Sequence, residues 1–457
     1  MAASTPGRTT RRVALVVGIA LFVQIGYGWL LQASGQEPFS FVGDGPSYME
    51  TARNVLEEGV WSSDPAPNPL PDNFRAPIYP LLLIGFIKLG WPFTLLFVLQ
   101  ALAVAAAAGL TYWYGRSLFS ERVGLIAGLV LAVDPILASR AVSKALMTEA
   151  FALPLLLIGF GSLALFVKRS DGKQLLISTL ALGLGANLKP QFVFFLLLSY
   201  VAVFHVKRVS ARTVLASLGL AGLLLLPWLS YNFIVLGVPQ FSSVSETNLF
   251  DIGYRFQHWL TKSKDPYFNE NYIIAGSALV GAENSMQLFE PIKAKRLARI
   301  GREWIMSAPL PFLWFHTTRV PRTFYHDTTI DTLYEDFGWF PSLRNGDSTA
   351  LAKHIVFFRR SQAMDEIREH PASLLALAFQ IIVLLVSLLA LSNDVVRRAL
   401  VGDRSSVALL WIALLLAYGF LVSPMGLHRY RVPIEPMLLL LAMDSLLVLI
   451  GGKKTRV

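Results

Sequence analysis

Long apolar runs alternate with short polar intervals along most of the chain. Crossing a bilayer takes about 20 apolar residues. Runs near that length lie at 13–33, 93–115, 121–139, 147–167, 173–188, 190–206, 213–236, 371–392, 406–423 and 432–450. The run at 78–89 is shorter, about twelve residues before Gly90-Trp91-Pro92. A segment of that length more often lies in the interface or re-enters than spans, so it reads as a helix on the membrane. Two polar intervals stand out. The first, within 34–92, opens a short helix over 49–58 at Asp44-Gly45-Pro46 and stops it at Gly59. The proline run from Pro65 to Pro71 that follows is irregular. The second, 237–370, is polar and rich in aromatics. Within it, 285–306 sets Ile292, Leu297, Ile300, Trp304 and Ile305 against Lys293, Lys295, Arg296, Arg299 and Arg302. That spacing predicts a basic amphipathic helix on the membrane surface.

Composition agrees with the run pattern. Hydrophobic residues make up 54% and charged residues 15%, against about 25% charged in soluble domains. The net charge of +10 would suit nucleic acid in a soluble protein. Here the bases cluster between apolar runs, so no nucleic-acid partner is expected. If 78–89 does not cross, the clusters at Arg116/Arg122, Lys168/Arg169/Lys173, Lys207/Arg208/Arg212, Arg397/Arg398/Arg404 and Lys453/Lys454/Arg456 all fall on the side of Arg8, Arg11 and Arg12. If it crosses, most of them flip. The positive-inside rule therefore favours about ten spans with both termini cytoplasmic. The first apolar run exceeds a signal-peptide core and reads as a retained span. Cysteine is absent, which excludes disulfides, Cys-based metal sites and a Cys nucleophile. The expectation is an all-α polytopic protein of the cell (inner) membrane. An N-terminal membrane module (1–236) carries the first external loop (34–92). An external region (237–370) and a C-terminal membrane segment (371–457) with the last three spans follow.

This topology gathers ionisable groups at the external edge of the bundle. Asp44 and Arg75 close the ends of one loop, Lys144 and Glu149 flank the start of the 147–167 run, Lys189 separates two spans, and His428-Arg429-Tyr430-Arg431 precedes the last. A charge at the centre of a span costs about 2.5–3.5 kcal/mol, so each invites a functional reading. The alternative for the long bases is snorkelling to the interface. Glu149 is too short to snorkel far. By local chemistry alone Asp44, between two glycines and before Pro46, is a turn or N-cap residue. Arg75, Lys144, Lys189, Arg429 and Arg431 could instead converge on one anion at headgroup level. A lipid phosphate fits, since guanidinium holds phosphate bidentately, and a carboxylate beside it can serve as general base.

These residues resemble the GT-C glycosyltransferases, especially the bacterial and archaeal branch related to protein O-mannosyltransferases and lipid A aminoarabinose transferases. The resemblance rests on Asp44, Tyr48, Ala52, Asn54, Leu56 and Gly59 in the first loop, and on Arg75-Ala-Pro-Ile-Tyr-Pro before an apolar helix. It also rests on Ser143-x4-Thr148-Glu149, Leu188-Lys189-Pro190 and His428-Arg-Tyr-Arg-Val-Pro. Two departures are Glu149 as the third motif's carboxylate and Ala76 in place of the first of two prolines. The resemblance implies a polyprenyl-phosphate-linked pentose or hexose as donor and a glycan, lipid or protein acceptor. It implies inverting transfer on the extracytoplasmic face. Asp44 becomes the general base, and Glu149 orients substrate or binds a cation. Arg75, Lys144, Lys189, Arg429 and Arg431 become the donor-phosphate set, and Tyr48, Tyr79 and His428 the substrate contacts. No residue is assigned to a metal. A divalent cation is left open, because some distant relatives use one and others do not.

Two other classes remain in view. An O-antigen ligase or polymerase would place key bases and a histidine in the large external region, where His258, His316 and His326 lie. A lipid-linked-sugar transporter or flippase would show repeats and broken helices at midplane; the charges here gather at one face instead. The aromatics Tyr254, Phe256, Trp259, Tyr267, Tyr272, Trp314 and Trp339 could stack on sugars, but interfacial anchoring or core packing accounts for such residues more often.

Overall fold

The computed structural model describes residues 6–41, 43–203, 209–261, 268–325, 329–337, 339, 351, 354–355, 359–401, 406–422 and 431–451. Among these the fold is all helical, apart from one isolated parallel bridge between Ser40 and Ala145. Helix α1 (Pro6–Ala33) leads to the loop helices α2 (Gly45–Glu57) and α3 (Ile78–Leu89). Next come α4 (Phe93–Leu118), α5 (Glu121–Ala132), a short α6 (Pro135–Ala138), α7 (Glu149–Arg169), α8 (Gly172–Ala186), α9 (Phe192–Val203) and α10 (Ala211–Leu236). The second polar interval folds as α11 (Val244–Thr261), α12 (Phe268–Val280), α13 (Pro291–Ser307), α14 (Pro309–Thr317), α15 (Val320–Tyr325), α16 (Thr329–Phe337) and α17 (Arg360–Glu369). The chain closes with α18 (Ser373–Leu391), α19 (Asn393–Val401), α20 (Ser406–Val422) and α21 (Glu435–Gly451).

A helix sits at each of the ten apolar runs. Six segments are long and apolar enough to cross a bilayer: α1, α4, α7, α10, α18 and 432–451. Of these, α7 is the axis of the bundle, with 72% of its apolar window buried against 11% for α10. The run at 121–139 does not continue as one helix. Asp134 caps α6 by accepting from the Ile136 amide at 2.9 Å, and Pro135 follows it; a proline ring clashes with the preceding turn. At 12 residues, α3 reaches only about 18 Å at 1.5 Å per residue, too short to cross. It buries Tyr79, Pro80, Leu83 and Phe86.

One end of the bundle is tied by ion pairs beside the basic clusters: Arg12 to Glu121 at 2.7 Å and Arg397 to Asp444 at 2.8 Å. The polar intervals meet at the other end. Ser40 donates its amide to Lys144 O at 2.7 Å, and Ile78 donates to Asn187 O at 2.9 Å. The Ser242 hydroxyl donates to Phe74 O at 3.0 Å. The first loop is therefore bonded to the 139–148 and 187–191 turns and to the region after α10.

The helix expected over 285–306 is two elements. Residues Ser285–Phe289 form a 3-10 turn. Glu290 then accepts from the amides of Ile292 at 3.0 Å and Lys293 at 3.2 Å, and Pro291 starts α13. A proline suits the first helical position because its missing N–H would be unsatisfied there anyway. Ile292 stays exposed, but the middle of the α13 apolar stripe packs into the protein. Leu297 is fully buried with Phe250, Val280 and Leu288, and Ile300 and Trp304 pack on that cluster. A Cβ on Gly301 would come within 2.6 Å of Leu249 O, so the α11 and α13 backbones nearly touch.

Candidate active site

Asp44 stands where Gly43 has φ +70° and where a Cβ on Gly45 would meet the Leu146 Cβ at 3.1 Å. Glycine on the first side supplies the left-handed backbone that L side chains resist. Glycine on the second lets the 145–148 turn lie close. Asp44 is the N-cap residue of α2 but makes no side-chain cap hydrogen bond. Its carboxylate pairs instead with Arg75, Nη2 to Oδ1 at 3.1 Å. The local cap reading gives the position correctly and the partner wrongly.

Arg75 is fixed on every side. Its Nε donates to the Ser47 hydroxyl at 2.8 Å, and that hydroxyl donates to Asp44 O at 2.8 Å. The guanidinium lies 4.3 Å from the Tyr48 ring centroid and 3.9 Å from that of Phe74. Trp61 Nε1 donates to Arg75 O at 3.2 Å. Tyr48 packs edge-on against Tyr79, centroids 4.9 Å apart, and the Tyr79 hydroxyl donates to Gln100 Oε1 at 2.8 Å. Gln100 in turn donates to Ser143 O and Ala145 O, both at 2.9 Å. Burial pushes the Tyr48 phenol up, with Arg75 pulling it back.

Asp44, Ser47, Phe74 and Arg75 form one wall of a cavity of about 600 Å³. The other wall comes from the 237–370 interval, chiefly α11 with Thr247, Asn248, Asp251 and Arg255, together with Tyr272 and Phe289. Asp251 and Arg255 pair at 2.8 Å, and Arg255 lies 5.9 Å from the Tyr272 ring centroid. Burial pushes the Asp251 carboxyl up while Arg255 pulls it down. Phe74 stacks on Phe289 at 3.6 Å and joins the two walls. No motif marks this wall in the sequence of 237–370. The signal available was the spacing of polar residues 247, 248, 251 and 255, which fall on one helical stripe.

The remaining expected residues are dispersed. Glu149 and Lys189 pair at 2.8 Å, close enough for both charges to bear on Tyr48, but neither is in the cavity wall. Glu149 is buried, and no donor reaches its Oε2. Lys144 extends along α1, its Nζ donating to Gln24 O at 3.1 Å. A Cβ on Gly28 would lie 3.3 Å from Lys144 Cε, so that glycine makes its slot. Arg431 is buried and binds Glu435, Phe324 O and Ser387. The structure therefore does not bring Lys144 or Arg431 to Arg75. His428 and Arg429 lie outside the described residues, as do His326 and Tyr267. Of the 237–370 aromatics singled out in the sequence, Tyr272 is the one in the wall among the described residues. A divalent cation would need a cluster of carboxylates or histidines. Asp44 and Glu149 are each held by a cationic side chain, and no group of three metal-ligating side chains occurs among the described residues.

Residues 74–231 match the family model of the dolichyl-phosphate-mannose-protein mannosyltransferases. A search of curated proteins finds no match. Two solved structures are similar. One is the Archaeoglobus fulgidus oligosaccharyltransferase in complex with zinc and sulfate, at 11% identity and TM-score 0.45, over 96% of this chain and 49% of that one. The other is ArnT from Cupriavidus metallidurans bound to undecaprenyl phosphate, at 14% identity and TM-score 0.38, over 95% of this chain and 77% of that one. The chain thus spans about half the length of the oligosaccharyltransferase it resembles. The matched family segment begins at Phe74, beside the cavity's Arg75, and ends at Tyr231 in α10.

Proposed function

We propose that this chain transfers a sugar from a polyprenyl-phosphate donor to an acceptor hydroxyl at the extracytoplasmic face of the cell membrane. The observation that carries the proposal is the Asp44–Arg75 pair, 3.1 Å apart, in the wall of a cavity of about 600 Å³. A site of that size lies within the ordinary range for small ligands. In the reaction, the acceptor O–H gives its proton to the Asp44 carboxylate. Its oxygen attacks the anomeric carbon from the face opposite the phosphate. The bond from that carbon to the phosphate oxygen breaks, and the lipid phosphate leaves with the electron pair. Configuration inverts. The guanidinium of Arg75 receives the growing negative charge, and a fixed cation in a dry site is worth most where charge develops. The Ser47 bond and the Tyr48 and Phe74 rings orient that guanidinium beforehand. The Glu149–Lys189 pair supports Tyr48 from behind the wall.

The ligase reading gains no observation of this kind. His316 is buried with its ring bonded to Phe420 O at 2.8 Å, and neither it nor His258 is in the cavity wall.

The test uses the full chain in membranes supplied with lipid-linked sugar. Asp44→Asn should lower transfer by about 10²–10⁴-fold, the usual contribution of a general base. Arg75→Ala should lower it at least as far and raise the donor concentration required. Full transfer by Asp44→Asn would sink the proposal. Movement of the lipid between leaflets without transfer, unaltered by either substitution, would favour a transporter.

A further inference from the structure

We infer that the polar stripe of α11, facing Asp44 and Arg75 across the cavity, is a subsite for an uncharged sugar ring. This deepens the transferase reading and rests on it for what the sugar does there. Four residues of one helix carry it. Thr247, Asn248, Asp251 and Arg255 all line the cavity, and their spacing keeps them on one side of α11. The close approach of Gly253 to Gly301, where a Cβ would lie 2.6 Å from Gly301 O, holds α11 rigidly against α13.

The chemistry of the stripe points to hydroxyls rather than to a second anion. Asp251 is 4% exposed and pairs with Arg255 at 2.8 Å, so the guanidinium charge is matched where it sits. Arg75 is also paired with a carboxylate, but Asp44 is 29% exposed and screened by water, whereas a phosphate at Arg255 would face the buried carboxylate of Asp251 with little screening. A paired carboxylate and guanidinium offer acceptors and donors in fixed planes. Asn248 adds both kinds of group on the next turn of the stripe. Vicinal sugar hydroxyls need this mixture. Tyr272 adds an aromatic face, an amphipathic surface suited to the C–H side of a sugar. The division of labour follows: the anionic phosphate goes to Arg75, and the neutral ring goes to α11. The ring is that of either the donor or the acceptor.

Saturation-transfer NMR on the full chain in detergent, without lipid donor, tests this directly. The probes are methyl hexopyranosides and methyl pentopyranosides, with inorganic phosphate as the anionic comparison. At least one glycoside should show transfer from the wild-type protein. The signal should fall at least fivefold in both Asn248→Ala and Arg255→Gln, and Arg255→Lys should retain part of it. Thermal unfolding of each variant confirms that it is folded. Asn248 makes the test independent of the ion pair. Adding the wild-type polyprenyl-phosphate sugar should displace the glycoside if the ring belongs to the donor, and leave it bound if it belongs to the acceptor. The inference is overturned if no glycoside binds, if glycosides bind equally to both variants, or if phosphate alone binds in a way that needs Arg255. Its failure is separable from that of the transferase reading. Glycoside binding that needs Asn248 with transfer indifferent to Asp44 leaves the subsite standing and removes the mechanism. The reverse result removes only the subsite.

Discussion

Lys144 shows what the surroundings of a single side chain decide. Burial pulls its ammonium down to about 8, with Asp336 pushing it back up. The unfolded value is near 10.5, so the folded state binds fewer protons between these two pH values. Stability must therefore rise with pH from about 8 to about 10.5, and the cost of the buried charge is present in full below that window. The ceiling of the effect is roughly 3 kcal/mol, at 1.36 kcal/mol per unit. Lys144→Met should remove the slope, as read from thermal midpoints of the two proteins across pH 7.5–10.5; parallel slopes would contradict the burial argument. The same variant decides the residue's role. With its ammonium on Gln24 O, it should leave the donor KM unchanged. A several-fold rise in that KM would return Lys144 to the phosphate-binding set.

At the scale of elements, the cavity depends on how two helices cross. A side chain at Gly301 would meet the α11 backbone, with Leu249 O at 2.6 Å and Phe250 Cα at 2.7 Å. Backbone cannot rotate away as a flexible side chain can, so α11 must shift. Overpacking of this kind costs typically 1–3 kcal/mol. Gly301→Ala should lower the thermal midpoint and impair sugar transfer, though residue 301 is not in the cavity wall. An unchanged rate would show that α11 is not a wall the reaction uses. The first loop is held more firmly. Asp64 accepts from Asn284 at 2.8 Å and from Gln287 at 3.2 Å, and Trp61 packs on Trp228 at 5.0 Å. The two walls are thus clamped together as well as stacked at Phe74 and Phe289.

For the whole molecule, sidedness has a direct test because the chain has no cysteine. Any introduced thiol is then unique. Glu303→Cys, exposed on α13, should react with a membrane-impermeant thiol reagent in intact cells. Lys173→Cys, exposed at the start of α8 just after Lys168 and Arg169, should react only after the membrane is opened. The opposite pattern would invert the orientation taken from the positive-inside rule.

Apolar runs place a helix at every expected position, and a twelve-residue run is too short to span wherever it packs, because length and hydropathy are local properties. Asp44 and Arg75 are likewise legible in sequence as the charged ends of one loop between apolar segments. Their pairing is not, since an aspartate at an N-cap position carries the same local signature whether it caps or not; a guanidinium 31 residues away in the chain settles it. Charge alone could not sort the basic residues either. Arg75 reaches the cavity, whereas Lys144 and Arg431 turn into contacts with α1 and α21 that only packing supplies. The opposite wall lay hidden for the same reason. Its polar stripe on α11 resembles any solvated helix face until α13 buries the other side and the first loop closes over it. Sequence by itself determined the helices, the membrane class and the loop whose charged ends line the cavity. Tertiary structure decided which charges meet, because ion pairs and cavities arise between segments that are distant in the chain.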